Sequence, residues 1–168
     1  MALAVSIARI LHIIAGIIWA GGAITMNLVI GPTIGATGDA GRQFAGHLMT
    51  KTIFSRLMAA SAGTTVLAGT FLYGVSSNWF SSAWMFSGPG IGFGIGALAG
   101  IAAFVMGMMT GNTNRALAML GAQIQGKPTH EQAATLQALQ KKAAFLSPAN
   151  TICIFISIIL MASARFFG

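Results

Sequence analysis

The strongest constraint on this chain is the length of its apolar runs. A hydrocarbon core about 30 Å thick takes roughly 20 mostly apolar residues in helical form, because lipid satisfies no open backbone hydrogen bond. Four stretches reach that length, approximately 10–30, 57–75, 90–110 and 143–164. The expected fold is all-α: a polytopic membrane four-helix bundle, one transmembrane domain over residues 1–168, with the lipid bilayer as its solvent. Composition agrees, since 55% of the residues are apolar and only 7% are charged, where a soluble domain charges roughly a quarter. Disorder, a disulfide scaffold and an ordinary cytosolic enzyme are excluded on these grounds. The single cysteine, Cys153, cannot form an internal bridge.

Breakers separate the runs. Gly31, Pro32, Gly35 and Gly38 predict a turn after the first span, and the Ser-, Asn- and Gly-rich stretch 76–90 predicts one after the second. A signal peptide is not expected, because no basic region precedes the first apolar run and that run continues past Ala23 through Ile24, Met26 and Leu28.

The charge is strongly asymmetric. Nine basic residues face two acidic ones, a net charge of +7. Arg42, Lys51 and Arg56 follow the first span, and Arg115, Lys127, Lys141 and Lys142 mark the third connection, whereas the second connection is uncharged. The positive-inside rule therefore predicts a multi-pass protein of the bacterial inner membrane with the first and third connections cytoplasmic and both termini extracytoplasmic. Tyr73, Trp79, Phe80, Trp84, Phe86, Phe166 and Phe167 then gather at the outer interface, where amphipathic rings favour the headgroup region. Read this way, the basic excess is a topology signal, and no nucleic-acid partner is expected.

Helical periodicity continues beyond the apolar runs. Residues 42–56 place Phe44, Leu48, Phe54 and Leu57 near one face, and 131–142 lead Leu136 and Leu139 towards Ala143. Helices 2–4 are thus expected to extend into the cytoplasm, with Pro128 and Thr129 as stop and start and Thr129 as an N-cap.

One ionisable residue falls inside the first span. His12 lies about one turn within the outer boundary, where a polar group is costly enough to suggest function. Steps of three or four residues lead from it to Gly16, Trp19, Ala23 and Met26, so one stripe carries an imidazole, a small gap, an indole and a thioether. Imidazole and thioether both serve haem iron and copper. Equally, His12 could simply hydrogen-bond a neighbouring helix. His47 and His130 lie roughly 30 Å or more away at the other membrane face, which argues against a bis-histidine site. Met161, on the fourth span, is expected at the depth of His12. The candidate cofactor-binding residues are therefore His12, Trp19 and Met161, and the candidate metal ligands His12, Met26 and Met161. Methionine also fills gaps in apolar cores, and the chain has ten.

Two further patterns stand out. Gly88, Gly92, Gly96 and Gly100 recur every four residues, which lets helix backbones approach closely. The Gly92/Gly96/Gly100 face serves either packing, a flat macrocycle, or contact with a membrane-protein partner or a second copy. Asn27, Arg56, Asn112, Asn114, Arg115, Ser147 and Asn150 bring polar groups to similar depth at the inner end, suiting inter-helix hydrogen bonds and arginine snorkelling, or an anion. No phosphate loop, paired carboxylates, zinc spacing or nucleophile elbow occurs, so no catalytic residue is assigned.

The first span reads L-H-x-x-A-G-x-x-W-x-G-G through Leu11, His12, Ala15, Gly16, Trp19, Gly21 and Gly22. It resembles the opening helix of the copper resistance D-like superfamily of bacterial membrane proteins, of its uncharacterised four-helix relatives, and of HemJ-type protoporphyrinogen oxidases. The four-span order, a Gly69-bearing second span and the ending around 161–166 extend the resemblance loosely over most of the chain. It implies a haem or copper role for His12, although no second intramembrane histidine stands at matching depth. The leading expectation is a small inner-membrane protein binding a redox cofactor, haem b or copper, in the outer half of the bundle. Its rivals are a cofactor-free structural or assembly subunit and, with less support, a small-solute transporter.

Overall fold

The computed structural model describes residues 1–124 and 126–167, and every regular element among them is helical. In chain order these are α1 (Ala2–Thr25), continued by a π-helical segment (Met26–Ile30) into α2 (Gly31–Ala36), then α3 (Gly38–Lys51), α4 (Phe54–Ser76), α5 (Ser82–Met85), α6 (Gly88–Gln123) and α7 (His130–Ser163). A 3-10 turn over Ala164–Phe166 extends α7. Four helical runs, Ala2–Ala36, Phe54–Ser76, Gly88–Gln123 and His130–Phe166, are long and apolar enough to cross a membrane.

Lipid-facing and protein-facing residues sort by size rather than by polarity. On α1 the buried stripe is Ala8, Ala15, Trp19 and Ala23, while Ile7, Ile10, Ile13, Ile14 and Ile17 point outward, Ile17 with 68% of its surface exposed. Small residues are the ones that let membrane helices touch, because lipid solvates Ile as well as a protein core does. Partners can be read from neighbouring pairs: Gly16 faces Thr65 and Gly22 faces Met58, so α1 and α4 run antiparallel. Gly92 meets Ala164, Gly96 meets Leu160 and Gly100 meets Ser157, so α6 and α7 do the same. Trp19, Ala23, Ala62, Ala103 and Ile154 form the central cluster where α1, α4, α6 and α7 converge.

The structure departs from the sequence expectation at both ends of the first connection. Gly31, Pro32 and Gly35 do not end the first helix. The chain instead widens into the π segment, where the Gly31 N–H bonds the Met26 carbonyl five residues back, before it continues as α2. A π turn relieves the clash between a proline ring and the preceding turn, and the missing Pro32 N–H then costs little. The break comes at Gly38, which adopts φ +58°. Likewise residues 42–56 are not one helix. α3 stops at Lys51, Thr52 turns extended, and Phe54 and Leu57 belong to α4. Thr52 Oγ1 accepts the Phe54 N–H and so starts the new helix. At Thr129 the expectation holds: its side chain caps Gln132 N at 3.2 Å and Gln132 Oε1 accepts from Thr129 N at 2.9 Å, a complete capping box.

Candidate functional site

His12 projects from α1 against α4. Its Nδ1 lies 2.8 Å from the main-chain oxygen of Thr65. A carbonyl only accepts, so Nδ1 donates, and in the neutral imidazole the lone pair is then on Nε2. The same bond satisfies the reading of His12 as a histidine tied to a neighbouring helix, and it also fixes the tautomer and ring angle that a metal ligand needs. The approach depends on Gly69, whose added Cβ would lie 2.8 Å from His12 Cε1 and 3.0 Å from Nδ1.

His12 opens into a cavity of about 170 Å³ lined by Arg9, Gly69, Tyr73, Trp84, Phe93 and Met161, among others. The structure thus brings together His12 and Met161, two of the four residues singled out from the sequence. It separates the other two. Trp19 is buried in the central cluster, edge-on to Phe104 at 6.4 Å. Seven residues from His12, it sits about 10 Å further along the axis. Met26 belongs to the π segment, fourteen residues from His12 or about 21 Å away, out of reach of the same ion. A shared helix stripe places residues on one face but at different depths.

Aromatic rings close the cavity. Trp84 stacks on Phe93 with centroids 6.4 Å apart and planes 10° from parallel, and Tyr73 meets Trp84 edge-on at 5.4 Å. The link to α5 is strained, because Asn78, Trp79 and Phe80 take φ of +49°, +58° and +71° in succession. Each such residue costs of order 1–3 kcal/mol and persists only where the surroundings impose it. Fully buried Ser77 imposes it here: Ser77 Oγ accepts the Phe80 N–H at 2.9 Å and the Gly74 carbonyl accepts the Trp79 N–H at 2.7 Å. The Trp79 ring then covers Gly74, where a Cβ would stand 3.1 Å from Cζ3.

The donor set, one imidazole and one thioether, is open to copper and to haem iron alike. Imidazole with thioether matches copper. A volume of about 170 Å³ is below the roughly 300–1,000 Å³ of pockets that enclose drug-sized ligands. Among the described residues no three His, Cys, Asp or Glu side chains converge as a metal group. Any ion here would rest on one nitrogen and one sulfur, with the remaining positions open.

The glycine face is occupied from within the chain. Gly92 and Gly96 are buried against Ala164, Leu160 and Met161, and Gly100 lies by Ser157. It serves α6–α7 packing within the chain. The inner polar residues only partly meet. Asn27 Nδ2 donates to the Ser147 carbonyl at 3.1 Å and to Thr151 Oγ1 at 2.9 Å, whereas Arg56, Asn112 and Arg115 stay exposed. Thr65 and Thr151 were missed by sequence reasoning, since one contributes a main-chain oxygen and the other a hydroxyl of ordinary helical type. Gly69, standing opposite His12, was the available signal.

No family model matches the chain, and no curated protein or solved structure matches it at a significant level.

Proposed function

We propose that this chain is a multi-pass protein of a bacterial inner membrane, folded as a four-helix bundle, that binds one copper ion in its outer half. His12 Nε2 and the Met161 thioether are the ligands, and Gly69 and the Thr65 carbonyl position the imidazole. The observation carrying this reading is the Nδ1 contact with Thr65 O at 2.8 Å, which leaves Nε2 as the ligand atom of a neutral imidazole in the cavity that Met161 also lines. Copper would supply one-electron exchange close to the outer surface. The aromatic walls limit water entry, and Arg9 at the rim adds a positive charge that favours Cu(I) over Cu(II).

The basic first and third connections support cytoplasmic placement of those loops and extracytoplasmic termini. At about 1.5 Å per residue, the 36-residue α6 and 34-residue α7 are each roughly 50 Å long. With a core about 30 Å thick, their excess continues into the cytoplasm.

The test is purification in mild detergent, elemental analysis for copper and iron, and titration with Cu(I) against a chromogenic chelator. About one copper per chain is expected, lost in His12→Ala and weakened in Met161→Leu, which keeps the packing volume. Protein that stays metal-free after Cu(I) addition refutes the proposal and leaves a cofactor-free structural or assembly subunit. A Soret band abolished by His12→Ala would replace copper with haem b.

A further inference from the structure

Between the His12 cavity and the Asn27 contacts, α1, α6 and α7 enclose a second polar group that the copper reading does not use. Asn150 on α7 is 2% exposed, and its Oδ1 has no hydrogen-bond partner among the described residues. It faces Gly107 on α6, across from Trp19 on α1. The point where a Cβ on Gly107 would stand is 3.8 Å from Trp19 Nε1 and 3.9 Å from both Asn150 Nδ2 and Oδ1. Outside the local α6 backbone and the residues flanking Gly107, these are the three nearest heavy atoms to that point. The missing side chain therefore leaves a gap walled by an indole donor and a carboxamide that both donates and accepts.

We propose that this gap is a binding site for one hydroxyl group, supplied by a water molecule or by a small hydroxylated solute, bridging Trp19 Nε1 to Asn150 Oδ1. The indole N–H donates to the hydroxyl oxygen and the hydroxyl proton goes to Oδ1, so each polar group gains the partner it lacks. A hydroxyl serves either orientation of the carboxamide, because it can both donate and accept. Three polar atoms are within the two to four that hold a buried water in place. Lipid offers no alternative partner at this depth, so the group cannot relax towards solvent.

Neighbouring contacts support a fixed site. Phe104 holds the Trp19 indole edge-on, and the adjacent Thr151 is tied to Asn27 at 2.9 Å. Trp19 lies seven residues from His12, about 10 Å along the axis. The site is therefore distinct from the His12 cavity, and through Asn150 it adjoins the Asn27–Thr151 contact.

Gly107→Ala tests this directly. Its Cβ would meet its neighbours only at ordinary van der Waals distance, so an empty gap would accept the methyl without strain. If a hydroxyl occupies the gap, the methyl displaces it and leaves Oδ1 and Nε1 unpaired. Gly111→Ala, where nothing lies within 4 Å, controls for the helix-forming gain of alanine. The expected result is a melting temperature at least about 2–4 °C below that control, the shift that an unpaired buried group produces in a chain of this length. In an Asn150→Leu background, which removes the orphaned acceptor, the difference between the two glycine variants should vanish. Equal or greater stability of Gly107→Ala in the wild-type background overturns the proposal, as does a loss that persists undiminished with Asn150→Leu. Nuclear Overhauser effects from the Trp19 indole proton separate the two sources: transfer to water identifies water, and transfer to carbon-bound protons identifies a hydroxylated solute.

Discussion

Replacing Gly69 with alanine tests the positioning of His12 without touching a ligand atom. The new Cβ would lie 2.8 Å from Cε1 and 3.0 Å from Nδ1, where ordinary contact begins at 3.4 Å. The imidazole cannot retreat freely, because Nδ1 is held 2.8 Å from Thr65 O. If α1 and α4 separate, the overpacking costs about 1–3 kcal/mol. If the ring swings out instead, the inter-helix hydrogen bond is lost, worth about 0.6 kcal/mol on average and up to about 1.7 in membranes. Alanine returns about 0.5–1 kcal/mol of helix preference in either case. Gly63→Ala on the same helix supplies that gain with nothing within 4 Å of its Cβ. Gly69→Ala should therefore be about 0.6–3 kcal/mol less stable than Gly63→Ala. Its Cu(I) affinity should fall about 10–100-fold, as when the group orienting a ligating histidine is lost. Unfolding by SDS titration in mixed micelles and chelator competition read the two effects. Equal stability and equal affinity of the two variants would show that the imidazole is not seated against Gly69.

Four further outcomes follow from particular contacts. Asn27→Leu removes two bonds to α7, at 3.1 and 2.9 Å, and should lower stability by about 1–2 kcal/mol without changing copper affinity; no loss would show that these bonds form equally well with other partners in the unfolded state. Gly92→Val meets Ala164 Cβ and Phe167 at 2.8 and 2.7 Å, so it should destabilise the single chain by about 1–3 kcal/mol, and size-exclusion chromatography should show no change in oligomeric state. Thr129→Ala breaks the capping box and should cost about 0.5–2 kcal/mol locally, seen as faster amide exchange at Gln132 and Ala133 while α6 is unaffected. Ser82 is exposed at the start of α5; in a Cys153→Ser background, Ser82→Cys should react with an impermeant maleimide from the outer side, and labelling from the cytoplasmic side alone would invert the orientation.

What could be read directly from the residues is what depends on local length and periodicity. The four apolar runs had to become helices, because lipid leaves the backbone no other partner. The Thr129 cap, set three residues before Gln132, was visible for the same reason: both of its bonds span three residues. His12 and Met161 were matched in depth by counting residues along each span. Tertiary structure decided the rest. Pro32 and Gly35 look like a turn in one dimension, yet a π turn carries the helix past them because Asn27, inside that segment, gains two bonds to α7. The glycines of α6 carry the small-residue spacing of a contact face, but which helix fills it is set by α7 folding back onto it. Trp19 and Met26 share the His12 stripe, yet depth and the packing of Phe104 take Trp19 into the core. The His12 contact and the facing of Trp19, Gly107 and Asn150 pair residues 43 or more positions apart where α1, α4, α6 and α7 meet. Contacts at that separation impose no period on the sequence, since they exist only after the apolar runs have become helices and the small faces have brought those helices together.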